Sequence, residues 1–253
     1  MTSTPVRHTG EGSSPPVGTF ADPLAGWLWE ARRTGHPAPP AAQWPELTAT
    51  RAAALAEQLY DRVVAEGDRR TGWKFGAFGS AAQRAFGIDG PVVAPTMSLW
   101  TWTGATSYEL DLSGLVSPRL EAEVGVYVDG GGDRWLVPCV EVADCRFPAW
   151  DLPPRGVIAD FGLQGAMVYG QPVRPVSEVS VAVHHRGKRL QGGAARWASV
   201  VESLDLVPSE AVLDGGSYIA TGSITAPLPV RRGPWTFDFG RVGSLVLDLR
   251  GVS

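Results

Sequence analysis

The chain has 253 residues, of which 44% are hydrophobic and 19% charged, and its formal net charge is −4. This length supports one large domain with its own core, and the acidic balance argues against binding nucleic acid through phosphate contacts. The sequence has no apolar run of about 18 residues, residues 1–19 lack the apolar stretch of a secretory signal, and two cysteines are too few for a disulfide framework. We therefore expect a cytoplasmic protein without nucleic-acid or membrane partners.

The start of the sequence predicts a tail followed by two helices. Residues 1–22 are rich in Ser, Thr, Pro and Gly and predict a disordered tail. Residues 23–70 form a predicted helical region. Its first helix is amphipathic and carries Trp27 and Trp29, and its second begins near Thr48, whose side chain can cap the helix. We expect Trp27, Trp29 and Trp44 to pack against the rest of the protein or a second subunit, and not to bind a ligand.

The remainder of the sequence, residues 71–253, predicts one β-rich catalytic domain. Short runs of β-forming residues alternate with Gly, Pro and Asp, and only two short helices are predicted, over 80–86 and about 194–204. Strands at this spacing with so few helices indicate an antiparallel or mixed sheet, and not a doubly wound one. The predicted fold class is α+β, with a mixed β-sheet core and a helical N-terminal region.

Two of the predicted strands carry carboxylates among apolar residues. Glu121 and Glu123 lie two apart on one strand and therefore point to the same face of the sheet. Glu141 interrupts the next apolar strand, and the glycine run from Gly130 to Gly132 between the two strands predicts a hairpin turn. Carboxylates gathered on one face repel each other unless a cation or solvent lies between them, and hard divalent cations such as Mg²⁺ prefer such oxygen ligands. The pattern alone leaves two interpretations open, a metal site and a solvated strand face.

Six motifs, which follow one another from about Thr71 to Val252, carry a family resemblance. On these motifs the sequence resembles the 2-keto-4-pentenoate hydratase and 4-oxalocrotonate decarboxylase branch of the fumarylacetoacetate hydrolase superfamily, as a divergent member. The motifs are Gly72-Trp-Lys-Phe-Gly, Phe86-Gly-Ile-Asp-Gly-Pro, RLEAEVGVYV, VEVADCRFPAW, Val157-Ile-Ala-Asp-Phe-Gly and Ala220-Thr-Gly-Ser.

The resemblance implies a fumarylacetoacetate hydrolase-like mixed β fold with a divalent metal site. It implies that Glu121, Glu123 and Glu141 hold Mg²⁺ or Mn²⁺, and that substrates are 2-oxo acids or their enols. The cation would act as a Lewis acid that stabilises an enolate. The lysine of the first motif corresponds to Lys74, which would contact substrate oxygens or move a proton. The chain has only two lysines, which supports a functional role for this one over a surface position.

Departures from the family pattern make the predicted site more apolar. The family has a proton-transferring aspartate where this sequence has Val92, a threonine where it has Phe78, and a serine where it has Leu163. We predict that these three residues bind substrate together with Thr221, whose hydroxyl or backbone could contact a substrate carboxylate. A larger, more apolar 2-oxo or 1,3-dicarbonyl substrate fits these changes better than a small dienoate does.

Two aspartates in the matched motifs are candidates for the missing acid or base. Asp89 and Asp160 stay polar, so either could replace the aspartate lost at Val92. A structural role in a turn or cap explains them equally. We therefore predict the catalytic set to be Lys74, Asp89 and Asp160.

The leading hypothesis is a metal-dependent lyase of the hydratase or dehydratase type, in a specialised or catabolic pathway. It would act on a small-molecule 2-oxo acid through an enolate, and we expect a homodimer or higher homo-oligomer. One alternative is a metal-dependent decarboxylase, or a tailoring isomerase or cyclase, for a larger apolar substrate. A second alternative is a degenerate family member without catalytic activity.

Overall fold

The computed structural model describes residues 20–207 and 216–251. Residues 1–19 of the tail predicted over residues 1–22 therefore lie outside the described residues. None of the described helices combines the length and apolar character needed to cross a bilayer. The division into domains at residues 22 and 70 stays a prediction.

Two helices form the N-terminal region, as predicted. Helix α1 spans Pro23–Thr34, and its first turn is capped by the Asp22 side chain, which accepts a hydrogen bond from a backbone N–H. Helix α2 spans Ala49–Ala65, and its cap is Thr48, whose hydroxyl accepts at 3.1 Å from the Arg51 N–H. In both helices the cap satisfies a backbone donor that the helix itself leaves free.

Three short helices follow. Helix α3 spans Ser80–Phe86, as predicted, and α4 spans Gly156–Ala159. Helix α5 spans Trp197–Ser203, which is shorter than the predicted helix over about 194–204. A strand occupies the residues where that helix was expected to begin.

Thirteen strands of the described chain make up two sheets. In chain order they are β1 Arg70–Gly76, β2 Val92–Met97, β3 Thr101–Trp102, β4 Ser107–Asp111, β5 Pro118–Val128, β6 Arg134–Asp144, β7 Gln164–Tyr169, β8 Glu178–His185, β9 Lys188–Arg196, β10 Ser217–Ser223, β11 Leu228–Pro229, β12 Gly233–Asp238 and β13 Ser244–Arg250.

The larger sheet has the order β2-β1-β10-β5-β6-β7-β3, with β11 beside β5, and the smaller has the order β4-β13-β12-β8-β9. Strand β1 runs parallel to β10, whereas β10, β5 and β6 pair antiparallel, so the larger sheet is mixed, as expected. The main core lies between the sheets. It takes alternate apolar residues of β5, such as Val124 and Val126, together with Trp235 and Phe237 of the smaller sheet.

The helical region covers a second core beside the larger sheet. Leu28, Leu55 and Leu59 of α1 and α2 pack with Phe147 and Phe161 of the β-rich part. Trp29 and Trp44 are buried in the same cluster, and Trp27 stays 36% exposed. The expected packing of the tryptophan-rich region against the β-rich part is therefore observed for two of its tryptophans.

Strand β9 is an element that sequence reasoning missed. Its centre consists of small residues, Gly192 to Ala195, which have little intrinsic preference for strands. It forms because β8 offers a free edge with which it pairs. The neighbouring chain also requires a residue without a side chain at Gly193, where a Cβ atom would stand 1.9 Å from the Ile224 carbonyl oxygen. Packing against neighbours therefore decides the conformation here.

Candidate active site

The β5–β6 hairpin brings the three predicted glutamates together. Glu121 lies directly opposite Glu141 in the antiparallel register, and Glu123 points to the same face one pleat further along β5. Their nearest carboxylate oxygens all lie within 4.8 Å of one another. Glu123 and Glu141 are buried and Glu121 is half-buried. The short connection over residues 129–133 is the turn that the glycine run predicts, and it fixes this register.

A bulge in the neighbouring strand holds Glu123. The register between β10 and β5 shifts between Ala220 and Ser223. Within this bulge the Gly222 N–H donates a hydrogen bond of 3.0 Å to Glu123 Oε2. Gly222 has a φ of +93°, a conformation that favours glycine. Bulges often change the direction of a group beside a functional site. Here the bulge directs the backbone N–H of Gly222 at the Glu123 carboxylate.

Lys74 joins the carboxylates from β1. Its side chain is 3% exposed, and Nζ donates hydrogen bonds to Glu141 Oε1 and, at 2.6 Å, to the Gly162 carbonyl. One lysine thus compensates one of three neighbouring carboxylates. A predicted catalytic residue and the predicted metal ligands therefore share one site.

Burial dominates the electrostatics of the three glutamates. Burial first, and the charge of Glu141 second, raise the pKa of Glu121 to about 7. The pKa of Glu123 is raised well above its ordinary value by burial and by both neighbouring carboxylates. Burial also raises the pKa of Glu141, although Lys74 opposes the shift. The protein alone therefore leaves the triad short of positive charge near neutral pH.

The donor set fits a hard divalent cation. Glu123 Oε1 is buried and accepts no hydrogen bond from any residue in the described part of the chain. All three side chains offer carboxylate oxygens, which are the preferred ligands of Mg²⁺ and Mn²⁺. Two negative charges remain after the ion pair with Lys74 is counted. The arrangement suits a metal ion, and the assignment of these residues as ligands stays a prediction.

A cavity of about 640 Å³ opens above the glutamates. Glu121 and Glu141 line its floor beside Lys74, and Glu123 lies behind them. The predicted substrate-binding residues Phe78, Leu163 and Thr221 all line it. Most of the remaining lining is apolar: Phe75, Phe86, Trp150, Val157, Val200, Ile224 and Pro227.

The hydroxyl of Thr221 is hydrogen-bonded to the sheet, so its predicted contact with substrate falls to the rest of the residue. Its hydroxyl donates a hydrogen bond of 2.5 Å to the Val124 carbonyl of β5, on the flank of the bulge. The hydroxyl proton is therefore committed to the sheet. Only the hydroxyl lone pairs and the neighbouring backbone remain available to a ligand.

The structure places two of the predicted site residues outside the cavity lining. Asp89 is exposed in the turn that follows α3 and does not line the cavity. Val92 is buried with Ile88, Val157 and Leu163, so it supports the cavity wall from behind. In both cases, the position of the residue in a sequence motif did not show whether its side chain faces the cavity.

Asp160, a predicted catalytic residue, also lies outside the cavity lining, in a position suited to a structural role. It is fully buried and pairs with Arg32 of α1 at 2.9 Å and with Arg146 at 3.4 Å. Burial raises the pKa of Asp160, and burial lowers that of Arg32 to about 10. Each charge thus stabilises the other in the buried environment, and the carboxylate does not line the cavity.

The Asp160 ion pairs hold the turn that carries the acceptor for Lys74. Phe161, Gly162 and Leu163 follow directly, with φ values of 51°, 60° and 63°. Three successive residues in this region are costly unless their surroundings hold them. The turn aims the Gly162 carbonyl at Lys74 and places Leu163 in the cavity wall. Asp160 therefore acts on the site through the backbone.

Arg119 and Trp150 are cavity residues that sequence reasoning missed. The Arg119 guanidinium lies 4.0 Å from the centre of the Trp150 ring, and both residues line the cavity. Trp150 is anchored by its Nε1–H, which donates to the Ser117 carbonyl at 2.9 Å. The period of two could have identified Arg119, because it precedes Glu121 by two residues on the same strand. No local signal identified Arg32.

Together the fold and the site define a class: a two-sheet α+β protein with a carboxylate triad at the floor of a largely apolar cavity. No protein-family model matches the chain. It is 24% identical over 215 residues to the 4-oxalocrotonate decarboxylase of a Pseudomonas species. The match covers 75% of this chain and 81% of the relative.

Two hydratases are similarly distant. The 2-oxo-hept-4-ene-1,7-dioate hydratase of Escherichia coli is 25% identical over 235 residues, with 80% of this chain and 87% of the relative covered. The 2-keto-4-pentenoate hydratase of Paraburkholderia phymatum is 27% identical over 145 residues, and the match spans about half of each chain, 52% and 54%. The expected resemblance to this hydratase and decarboxylase branch is confirmed, at low identity.

Solved structures confirm the fold class. The 4-oxalocrotonate decarboxylase from Pseudomonas putida, complexed with magnesium and adipate, superposes with a TM-score of 0.77. The match covers 89% of this chain and 95% of that chain at 22% identity. A second structure of that decarboxylase, complexed with calcium and acetate, gives a TM-score of 0.76 at 23% identity. At this identity the likeness establishes a shared fold.

Proposed function

We propose that the protein is a divalent-metal-dependent lyase of the hydratase type, acting on a 2-oxo acid or a related enolisable carbonyl compound. The observation that carries the proposal is the convergence of Glu121, Glu123 and Glu141, beside Lys74, on the floor of a largely apolar cavity. The relatives named above as hydratases and a decarboxylase support it.

In this proposal Glu121, Glu123 and Glu141 would hold Mg²⁺ or Mn²⁺. The bound cation would supply Lewis-acid chemistry, stabilising the negative charge that develops on substrate oxygens as an enolate forms. Lys74, held by Glu141 and the Gly162 carbonyl, would present an N–H donor to a substrate oxygen at the cavity floor. The apolar walls would exclude bulk water and strengthen these charge interactions.

A second candidate keeps the metal and changes the reaction. Asp89 and Asp160 do not reach the cavity, and Val92 cannot move protons. The ionisable side chains among the described lining residues are Lys74, Arg119, Glu121 and Glu141, and the two glutamates are assigned to the metal. Decarboxylation of a 2-oxo acid, or isomerisation or cyclisation of a larger apolar substrate, needs fewer such groups than hydration does.

Enolisation can be tested without knowledge of the natural substrate. We expect the protein with Mg²⁺ to exchange the C3 protons of a simple 2-oxo acid for deuterium in D₂O, followed by NMR. Lys74→Met and Glu123→Gln should abolish the exchange. Lys188→Met is the matched control, because Lys188, the other lysine of the chain, is exposed on β9 and does not line the cavity.

The outcomes separate three hypotheses. Exchange together with product analysis distinguishes hydration, decarboxylation and rearrangement. Metal binding by calorimetry without any exchange would favour a ligand-binding role. If the protein shows no metal binding and no exchange, the proposed function is contradicted. That result would favour the interpretation as a degenerate, non-catalytic relative.

Assembly, location and pathway are further parts of the proposal. We infer a cytoplasmic homo-oligomer that serves a specialised or catabolic pathway. Exposed apolar side chains such as Trp27 and Leu99, at 36% and 58% exposure, are of the kind that subunit contacts cover. Light scattering coupled to size-exclusion chromatography tests the assembly, and a monomer at all concentrations would contradict it.

A further inference from the structure

The charges around the cavity are nearly balanced once a divalent cation is counted. Glu121 and Glu141 line the cavity with Glu123 directly behind them, and Lys74 and Arg119 are the cationic residues of the described lining. Carboxylates that bind a metal are ionised. Three carboxylates, two cationic side chains and one divalent cation leave a single positive charge. One substrate carboxylate neutralises it, and a second would be in excess.

Arg119 is placed to receive that one carboxylate. It precedes Glu121 by two residues on β5, so the two side chains emerge from one face about 7 Å apart. Its guanidinium is stacked on Trp150, which is itself anchored through Nε1. Within residues 20–207 and 216–251, no carboxylate forms a salt bridge with Arg119. The guanidinium is thus held in place while its hydrogen-bond donors stay available.

The rest of the cavity wall offers no cationic side chain to a second anion. Phe78, Phe86, Leu163 and Val200 line it, and its polar side chains are uncharged hydroxyls such as those of Ser199 and Ser203. The Phe78 ring lies against Gly222, where a Cβ atom would stand 2.8 Å from the ring, and contacts Phe75 edge-on at 5.6 Å between centroids. A carboxylate packed against this part would lose part of its hydration without gaining a cationic partner.

We propose that the cavity takes a monocarboxylic 2-oxo acid with an unbranched apolar chain, its carboxylate toward Arg119 and its chain along Phe78, Leu163 and Val200. This inference rests on the proposed function and specifies its substrate class. Two of the relatives are named for dicarboxylic compounds, 4-oxalocrotonate and a 2-oxo-1,7-dioate. We therefore expect this chain to reject the second carboxylate that these compounds carry.

Equilibrium binding of three saturated acids tests the proposal, because a saturated chain offers no double bond for hydration. The acids are 2-oxobutanoate, 2-oxooctanoate and 2-oxooctanedioate, titrated by calorimetry into the protein with saturating Mg²⁺. Each buried methylene contributes roughly fourfold in affinity, so 2-oxooctanoate should bind at least tenfold more tightly than 2-oxobutanoate. The dioate, with the same carbon count, should bind at least tenfold more weakly than 2-oxooctanoate.

Two variants locate the charges. Arg119→Gln should weaken all three acids by a similar factor of roughly tenfold or more, because it removes the partner of the shared carboxylate. Ser199→Lys adds a cation at the exposed rim formed by α5 and should restore binding of the dioate. Ala198→Lys is its matched control, since Ala198 is exposed on the same helix and does not line the cavity.

The results distinguish failure of this inference from failure of the proposed function. Equal binding of 2-oxooctanoate and 2-oxooctanedioate, or unchanged binding by Arg119→Gln, would overturn the inference while metal-dependent acid binding stands. If no acid binds in a metal-dependent way, both the proposed function and this inference about its substrate fail. Melting temperatures equal to that of the parent show that the variants are folded, and Ser199→Lys tests the charge argument independently of Arg119.

Discussion

At the scale of single residues, Glu123 is the most enclosed of the three carboxylates. One of its oxygens accepts from the Gly222 N–H, and the other accepts no hydrogen bond from the described residues. We expect Glu123→Gln to leave the metal-free protein no less stable, because an amide keeps the shape and the contact while removing a repelled charge. A metal that binds only the folded state at hundredfold excess over Kd adds about 2.7 kcal/mol, a rise of roughly 5–10 °C in Tm. The variant should lose most of this rise in a thermal melt.

The matched control for this variant is Glu109→Gln on β4. Glu109 is exposed and pairs with Arg250 at 2.6 Å on the protein surface. Its loss removes an interaction worth at most about 1 kcal/mol, and the response to Mg²⁺ should be intact. If both variants respond to Mg²⁺ like the parent, the carboxylates do not form a metal site.

The raised pKa of Glu121 predicts a pH dependence. Burial and the neighbouring Glu141 raise the pKa of Glu121 to about 7, above the value of about 4.3 expected in an unfolded chain. Between these values the folded protein binds more protons than the unfolded chain, so the metal-free protein loses stability as the pH rises through this window. A cation must displace the same proton.

We therefore expect the Mg²⁺-induced rise in Tm to be small near pH 5 and fully developed near pH 8. Melting curves with and without Mg²⁺ across this range measure it. A rise in Tm of equal size at both ends would show that no carboxyl with a raised pKa takes part in binding.

At the scale of elements, α1 is tied to the site through one ion pair. Arg32 reaches from α1 to Asp160, which begins the turn whose Gly162 carbonyl holds Lys74. Asp160→Asn leaves the buried Arg32 without its carboxylate partner and removes one of the two carboxylates that pair with the buried Arg146, the other being Asp144. Breaking a buried pair in this way costs about 3–5 kcal/mol, so we expect a clear fall in the denaturation midpoint, accompanied by weaker Mg²⁺ binding because the turn loosens.

The control on the same helix is Glu30→Gln. Glu30 pairs with Arg33 at 2.7 Å, and both side chains are more than half exposed. This pair contributes about 0–1 kcal/mol. Similar stabilities for Asp160→Asn and Glu30→Gln in urea denaturation would contradict the structural role assigned to Asp160.

At the scale of the whole molecule, the helical region completes a core that the sheets alone leave open. Leu28 and Leu47 are almost fully buried among residues that include Phe147 and Phe161. A chain that begins at Thr48 lacks this cover and leaves Asp160 with one of its two arginines. We expect it to be insoluble or unfolded on expression, as judged by the soluble fraction and circular dichroism.

The matched truncation removes only residues 1–19, the segment predicted as a tail. We expect its Tm to equal that of the parent. A soluble, cooperatively melting chain that begins at Thr48 would show that the β-rich part folds without the helices.

The sequence by itself determined what depends on local spacing. The period of two placed Glu121 and Glu123 on one face, and the capped helical periodicity defined α2. The glycine run between β5 and β6 predicted the hairpin that brings Glu141 opposite Glu121. These features involve residues that are near in the chain, so their geometry follows from backbone rules.

Only the tertiary structure decided which distant residues meet. Arg32 and Asp160 are 128 residues apart, and Lys74 lies 88 residues from the Gly162 carbonyl that it binds. Motif matches therefore placed Asp160 in the catalytic set and Val92 in the cavity, whereas packing buried the first between arginines and the second behind the wall. The physical reason is that burial and charge pairing between distant elements decide whether a residue faces the cavity. No local sequence pattern encodes these contacts.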